Sequence, residues 1–410
     1  MKLRVIVNTT ITTCGRLSSM RYSLQVQILF FTIFLVGWTE MAMIGLIEHI
    51  SMEFQSEVAD IGEIIAAYSV SFAVGGPLVI YLTRNVPKRK VIIGLSLLFL
   101  ITNVVSAISP NPLVLGVSRV MLASVSGALA GTILGSVISL VDKKEVGGVL
   151  SYILVGFGAS LILGVPLSVM IADELGWRLT FIIISVLSIL TIIAQYKALP
   201  VVHEDVKQPV GPSEYMSRIK ALPIESYSGL VFTFLWMMGY SILFTYYPAV
   251  LSGEYQYKSG EVSILLALFG ISTLFGSKIG GKLNDRIGSK PTILVGFVLH
   301  ALILYVAGQF LISFYGAIAF SVLWGVASWM STPAIQALIA LNSKGVEDIM
   351  LTLNNSLLHI GIAFGALIGG FYLPDSIGKI YVSSALIVLL SAILVSILIS
   401  KQRKEAVCQS

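Results

Sequence analysis

The chemistry this chain can do begins with the few ionisable side chains that sit inside apolar runs. Glu40 lies in FLVGWTEMAMIGL and Arg119 in VLGVSRVMLA. A carboxyl group enclosed by apolar side chains can load and unload a proton, and a guanidinium, which stays charged, is its natural partner. Together they suggest a proton or polar-ligand site in which Arg119 tunes the acid. The competing reading is a static ion pair. His300 and His359 are single histidines in similar surroundings. Imidazole titrates near neutral pH, but His300 reads better as a neutral hydrogen-bonding side chain. His359 follows Asn355 by four residues, so the two share a helix face; they would line a polar cavity or bond a neighbouring helix. Trp38, Tyr68, Phe72, Trp236, Tyr240, Trp324 and Trp329 could stack a planar ligand. Tyr68, Phe72 and Gly76 repeat at four-residue spacing, as do Trp236 and Tyr240. Any one such aromatic is more often packing or an interfacial anchor, but their number favours an amphipathic or ring-bearing ligand over a simple ion. Metal-ligand clustering is not seen, and Cys14 and Cys408, close to the two ends, imply no disulfide framework.

These residues have to be positioned by elements that the composition makes plain. Of 410 residues 56% are hydrophobic and 11% charged, and the mean hydropathy is +0.92; soluble domains are about one quarter charged. An all-α integral membrane protein is expected. Segments of about 20 apolar residues, enough to cross about 30 Å of hydrocarbon, fall at 26–48, 61–83, 91–109, 112–141, 148–172, 176–198, 226–250, 260–284, 290–312, 314–341, 350–373 and 377–400. The first is not read as a cleaved signal peptide, because it is long, contains Glu40 and is followed by further spans. At about 1.5 Å per residue, Glu40 sits about 4.5 Å past the middle of its span and Arg119 reaches a depth of about 10 Å from the opposite surface. A carboxylate at such a depth costs at least about 2.5 kcal/mol on insertion scales. The two side chains are therefore expected at one level, able to pair across the cavity of the first half.

All but four of the 26 basic residues fall on one side if both termini are cytoplasmic; the exceptions are Arg119, Arg178, Lys258 and Lys379. That is the positive-inside asymmetry of a cell-membrane protein. The net charge of +5 then reflects topology and needs no nucleic-acid partner. The basic head is polar up to Tyr22, with Met20 as an alternative start. The organisation expected is an N-terminal cytoplasmic segment (1–25), a six-helix half (26–198), a cytoplasmic linker (199–225), a second six-helix half (226–400) and a cytoplasmic tail (401–410). The halves echo one another: GGPLVIYLTRNVPKRKVIIG aligns with SKIGGKLNDRIGSKPTILVG, pairing Arg84 with Arg286, Lys88 with Lys290 and Gly94 with Gly296. Duplicated six-span halves with a site near the midplane are a recurring transporter plan.

Span 5 contains GFGASLILGVP. Glycine and proline disfavour helices by about 1 and 3 kcal/mol, yet Gly156, Ser160, Gly164 and Ser168 form a stripe at four-residue spacing that lets another helix approach closely. Pro166 removes a backbone donor and adds a kink. Similar stripes are Gly361, Gly365 and Gly369 in span 11, and Ser272, Gly276 and Gly280 in span 8.

The segment GGKLNDRIGSK (280–290) resembles the cytoplasmic loop signature of the major facilitator superfamily. GWTEMAMIGLIEHI, GGPLVIYLTR, LGVP with GWRLTF downstream, and STPAIQA followed by LNNSLLHIGIAFGALIGG resemble its twelve-span drug:proton antiporter branch, nearest to bacterial exporters of sugars, purine bases or nucleosides, and drugs. The resemblance implies two pseudo-symmetric six-helix halves, and a conformational latch at Arg84, Gly281, Asp285, Arg286, Gly288 and Lys290. The first-half copy departs from that pattern, with Thr83 where the second has Asp285 and Pro87 in the place of Gly288. It also implies that span 5, with its exporter motif, packs against span 8, and that a monomer suffices. The expected function is export of a small organic compound (drug, nucleobase, nucleoside or sugar-like) by proton antiport and alternating access, with protons, the substrate and the lipid bilayer as partners. The alternatives are proton-coupled uptake on the same fold or a non-transporting membrane sensor. A phosphate-binding G-x-x-x-x-G-K-[ST] loop is absent from the sequence, as are H-E-x-x-H and G-x-S-x-G, so neither an enzyme nor a cofactor is expected.

Overall fold

The computed structural model describes residues 24–137, 140–141, 146, 148–200, 217, 220, 222, 226–347, 349–373 and 376–400 in full, and backbone alone at 2–23, 138–139, 147, 224–225, 348 and 401–409. Most of the expected linker (199–225), and the side chains of the two cytoplasmic end segments (1–25 and 401–410) apart from Leu24 and Gln25, lie outside the described residues. Among the described residues twelve apolar helical units follow one another: α1 Leu24–Phe54, α2 Val58–Thr83, α3 Lys88–Ala107, α4 Pro112–Val137, α5 Gly148–Leu175, α6 Arg178–Ala198, α7 Ser226–Gly253, α8 Ser259–Ile287, α9 Ser289–Tyr305, α10 Phe314–Asn342, α11 Ile349–Tyr372 and α12 Ile377–Ser400. Eleven are long enough to cross a membrane and α9 is shorter. The protein is an all-α membrane protein, with no strand among the described residues.

Packing groups α1 to α6 into one half, through α1 with α5, α2 with α4 and α3 with α6, and α7 to α12 into the other, through α7 with α11, α8 with α10 and α9 with α12. The halves meet along α2 with α11 and α5 with α8. Loops rich in Lys and Arg gather at one end of the bundle, called here the basic end; the other is the far end.

Proline accounts for three of the interrupted spans, although Pro77 is carried inside the unbroken helix Val58–Thr83. A proline at i removes the hydrogen bond to the carbonyl of i−4, and irregularities stand just before Pro166, Pro248 and Pro333. In α5 the turn Ser160–Gly164 widens into a π-helix before Pro166. In α7 the helix Ile224–Phe244 stops and Tyr247–Gly253 restarts. In α10, Phe314–Met330 gives way to Thr332–Asn342. The expected single span 290–312 is also two pieces, Ser289–Tyr305 and Ala307–Leu311, broken two residues before Gly308, which sits under the Tyr381 ring.

The glycine stripes mark close helix pairs. Methyl groups on Gly361, Gly365 and Gly369 would collide with the carbonyl oxygens of Phe234, Met238 and Ile242, so α11 lies directly on α7. Gly276 and Gly280 likewise meet the carbonyls of Val326 and Met330 on α10. The α5 stripe receives α1, not α8. Gly156 lies under the Phe30 carbonyl, Ser160 against Gly37 and Gly164 against Trp38, whose indole donates to Ser168 Oγ at 3.0 Å. α5 does pack on α8, as expected, but with a different face: Gly270 rests on the Ile162 backbone and Ser263 Oγ donates to the Pro166 carbonyl at 3.3 Å. Four-residue spacing defines a face; it does not say which neighbour fills it.

A candidate proton-coupling centre

Between the halves, Glu40 of α1 is 8% exposed and Arg119 of α4 is 1% exposed. The contact expected between them is not made. Arg119 Nη2 donates to the carbonyl of Thr39 at 2.6 Å, while its guanidinium lies over the rings of Tyr68 (4.8 Å) and Phe181 (5.4 Å). Depth along the span put the two residues at one level, but it could not fix their azimuth. Thr39 is held in turn by α3: its hydroxyl donates to Asn103 Oδ1 at 2.5 Å, and Asn103 Nδ2 donates to the Phe99 carbonyl at 2.9 Å. Arg119 Nε and Nη1 and Glu40 Oε2 are buried without a hydrogen-bond partner. These arginine donors and this acid oxygen are therefore uncommitted.

Glu40 turns towards the other half. Its Oε1 is 3.7 Å from Nδ1 of His359 on α11. The imidazole is stacked on Phe72 of α2, with centroids 4.0 Å apart and planes at 24°. One turn nearer the basic end, Ser356 Oγ donates across the interface to the Ala73 carbonyl at 3.0 Å. Asn355, one turn from His359 on its face, is exposed. Its neighbour Asn354, not singled out from sequence, accepts from Thr233 at 2.6 Å and ties α11 to α7.

The aromatic candidates divide. Tyr68 and Phe72 border Glu40 and His359. Trp38 is committed to α5 through Ser168. Trp324 is fully buried among Phe269, Phe320 and Tyr247, and its indole donates to His300 Nε2 at 3.0 Å. This matches the reading of His300 as a hydrogen-bonding side chain. Tyr240 stacks on Phe244 in the same cluster, and Trp236 meets Trp329 edge to face at 6.0 Å.

The latch residues lie at the basic end. Arg84 is exposed and covers the Tyr81 ring at 4.1 Å. Gly288 has φ +84°, which lets α8 end and α9 begin at the next residue. Gly281 faces open space. Asp285 and Arg286 are exposed, and among the described residues neither makes an ion pair. At the far end the halves are closed. Ser252 of α7 donates to Glu48 of α1. The Tyr246 phenol donates to the Ala366 carbonyl at 2.7 Å and sits in a cradle formed by Gly62, Gly369 and Gly370. Arg178 and Trp177 both bind Glu53, which ties α6 to α1 within one half. The constellation suits holding and moving protons beside a polar ligand; no group of three or more metal-ligating side chains occurs among the described residues.

The sequence comparisons point to one family. The model of the Major Facilitator Superfamily matches residues 29–248 and 229–409. The chain is 29% identical over 383 residues to the Bacillus subtilis protein named uncharacterized MFS-type transporter YbcL, covering 93% of this chain and 97% of that one. It is 28% identical over 379 residues to the Escherichia coli K12 inner membrane transport protein YdhP, covering 91% and 95%. Among solved structures, a D-xylose-proton symporter superposes with a TM-score of 0.76 at 15% identity, over 90% of this chain and 96% of that one. A bacterial homologue of the lysosomal transporter Spinster, inward-facing and unoccupied, gives 0.72 at 13%, over 92% and 95%. At such identities the superpositions speak for the fold alone.

Proposed function

The chain belongs to the major facilitator superfamily and is a multi-pass membrane transporter, and from that premise we propose that it exports a small organic compound in exchange for protons by alternating access. The observation that carries this reading is the burial of Glu40 at the seam between the halves, with His359 at 3.7 Å and Arg119 anchored on the neighbouring carbonyl. Glu40 is the proton carrier. Arg119, with two uncommitted donor atoms, couples the acid to the cavity. Tyr68 and Phe72 offer ring faces beside the acid. The uncommitted donors and acid oxygen, next to rings, suit a drug, nucleobase, nucleoside or sugar-like compound with both polar atoms and a ring.

With the basic end and both termini in the cytoplasm, the closure at Tyr246 and Glu48 supports reading this as an inward-facing conformer. The latch at Arg84, Gly281, Asp285, Arg286, Gly288 and Lys290 then closes in the opposite state, which accords with the exposure of Asp285 here. The α5 motif Gly156, Ser160, Gly164, Pro166 and Ser168 biases the protein to export by holding α1 while its π turn flexes. The relative YdhP is named an inner membrane protein, and the same membrane is proposed for this chain, working as a monomer without a cofactor.

The test is an export screen in a pump-deficient bacterium challenged with purine analogues, sugars and antibiotics, for the wild type and Glu40→Gln. Resistance to at least one class is expected, and E40Q should abolish it. Unchanged resistance in E40Q removes Glu40 from the proton path. Flux into right-side-out instead of inverted vesicles, along the proton gradient, replaces export by uptake.

A further inference from the structure

His359 belongs by sequence to the C-terminal half, but its imidazole is received by the N-terminal half. Phe72 of α2 covers one ring face at 4.0 Å, and the Glu40 carboxylate of α1 stands 3.7 Å from Nδ1. Both Nδ1 and Glu40 Oε2 are buried without a hydrogen-bond partner. The separation exceeds an ordinary charge-assisted hydrogen bond by about 0.5–1 Å, a distance that a slight rocking of one half against the other closes.

We propose that Glu40 and His359 hold one proton between them and that this shared proton clasps the two halves together at the centre of the protein. The inference rests on Glu40 being the proton carrier and adds the partner through which the opposite half senses its state. When the proton is present, it passes from the carboxyl oxygen of Glu40 to Nδ1 of His359; an O–H bond breaks and an N–H bond forms. A carboxylate and an imidazolium then face each other from opposite halves and attract at short range in a poorly screened interior. When the proton leaves, a neutral imidazole faces a carboxylate compensated only by Arg119, on the carboxylate's own half, and the attraction across the seam is lost. The protein thus converts proton occupancy into a force between the halves.

The other titratable groups around α11 are occupied or distant. On α7, Tyr246 is bonded to the Ala366 carbonyl, Tyr247 to the Ser321 hydroxyl, Tyr240 lies in the aromatic cluster and Tyr227 stands near the basic end. The second segment of α10, Thr332–Asn342, contains no titratable residue. On α12, Tyr381 is bonded to Tyr255 at the far end and Lys379 stands two residues before it. On α2, Asp60 and Glu63 lie at the far end and Tyr81 at the basic end. Tyr68 is the member of that helix beside the centre, with Arg119 behind it. The comparison of Glu40→Gln and His359→Gln with the wild type separates the titration of the pair from that of Tyr68 and Arg119.

The test places spin labels on exposed positions of the two halves at the basic end, Val86 and Leu341 (43% and 67% exposed), in full-length protein with Cys14→Ser and Cys408→Ser, reconstituted in lipid nanodiscs. Electron–electron distance distributions are recorded from pH 5 to pH 9. In the wild type the ratio of the two distance populations should change at least about fivefold, with acid favouring the conformer in which the pair is in contact. His359→Gln and Glu40→Gln should each flatten the profile to less than about twofold. If E40Q flattens it and H359Q keeps the wild-type profile, Glu40 remains the carrier and the shared proton is overturned. If neither variant changes it, both readings fall. If H359Q alone flattens it, His359 titrates without Glu40 and the pair is again overturned.

Infrared pH-difference spectra with ring-labelled histidine, in a chain whose other three histidines (His49, His203 and His300) are replaced by glutamine, answer the same question without a His359 variant, should H359Q not fold. The carboxyl band lost in E40Q and the label-sensitive ring band should change with one common midpoint, as a coupled pair does. Midpoints more than about one pH unit apart, or a ring band that does not change, overturn the proposal.

Discussion

Asn103 governs the centre without touching either charge. It holds the Thr39 hydroxyl, and the Thr39 carbonyl holds Arg119. Asn103→Ala should therefore loosen the guanidinium and lower stability by about 0.6–2 kcal/mol, the range for a hydrogen bond between membrane helices; thermal unfolding in detergent measures it. Arg119→Lys asks a sharper question. A lysine keeps the charge but cannot lie flat on Tyr68 and Phe181 while reaching the Thr39 carbonyl, so proton-driven flux should drop at least about tenfold, or about 1.4 kcal/mol in the barrier. Wild-type flux in R119K would mean that charge alone suffices. What could be read in the chain at this scale was identity: ionisable side chains in apolar runs announce themselves by their cost, and Glu40, Arg119 and His359 all do. Their partners were not legible, because no spacing rule joins α1 to α11 or tells an arginine to take a carbonyl beside the acid. Asn103 gave the same signal, an amide in an apolar span, without one indicating its partner.

Among the helices, proline and glycine do different work. Glycine at four-residue spacing lets α11 settle on the carbonyls of α7. Gly365→Leu should force that pair apart and destabilise the C-terminal half by about 1–3 kcal/mol, the usual cost of overpacking; an unfolding midpoint equal to wild type would refute the close approach. Proline acts on hydrogen bonding. Pro166→Ala restores an N–H that can reach the Ile162 carbonyl, so the π turn Ser160–Gly164 should tighten towards a regular helix. Backbone hydrogen exchange across that turn would then slow, and if the turn is the flexing point of α5, transport would slow with it. Exchange that does not change would mean that the packing of α1 against the stripe, not the proline, sets the turn. Spans, stripes and the disturbance near Pro166 were all legible, since hydropathy and residue type carry them directly. The partner of the α5 stripe was not: α1 and α8 both border α5, and the choice depends on the large side chains opposite, such as Trp38 against Gly164.

For the molecule as a whole, transport requires the closed far end to open, and the structure places one side chain where that opening is resisted. The Tyr246 phenol, carried by the C-terminal half, lies on Gly62 of the N-terminal half and bonds the Ala366 carbonyl. Any side chain at position 62 would occupy the space of the phenol, so a larger residue penalises the far-end-closed state and leaves the opposite state, in which the halves part here, untouched. The duplicated halves were legible from the aligned loop motifs, but this contact joins residues that the repeat does not relate, and only the packed halves reveal it. Gly62→Leu should raise the free energy of the closed state by about 1–3 kcal/mol, equivalent to a roughly 5–150-fold shift towards far-end access at 1.4 kcal/mol per tenfold. A single cysteine at the fully buried Ala366, in a chain with Cys14→Ser and Cys408→Ser, reports it through its rate of labelling by a membrane-impermeant maleimide added to the far side. Labelling of Ala366→Cys should be slow in the parent and faster by that factor with G62L. If G62L folds and the rate stays the same, the phenol is an incidental contact and the free energy of far-end closure resides elsewhere, with the Ser252–Glu48 contact as the next place to look.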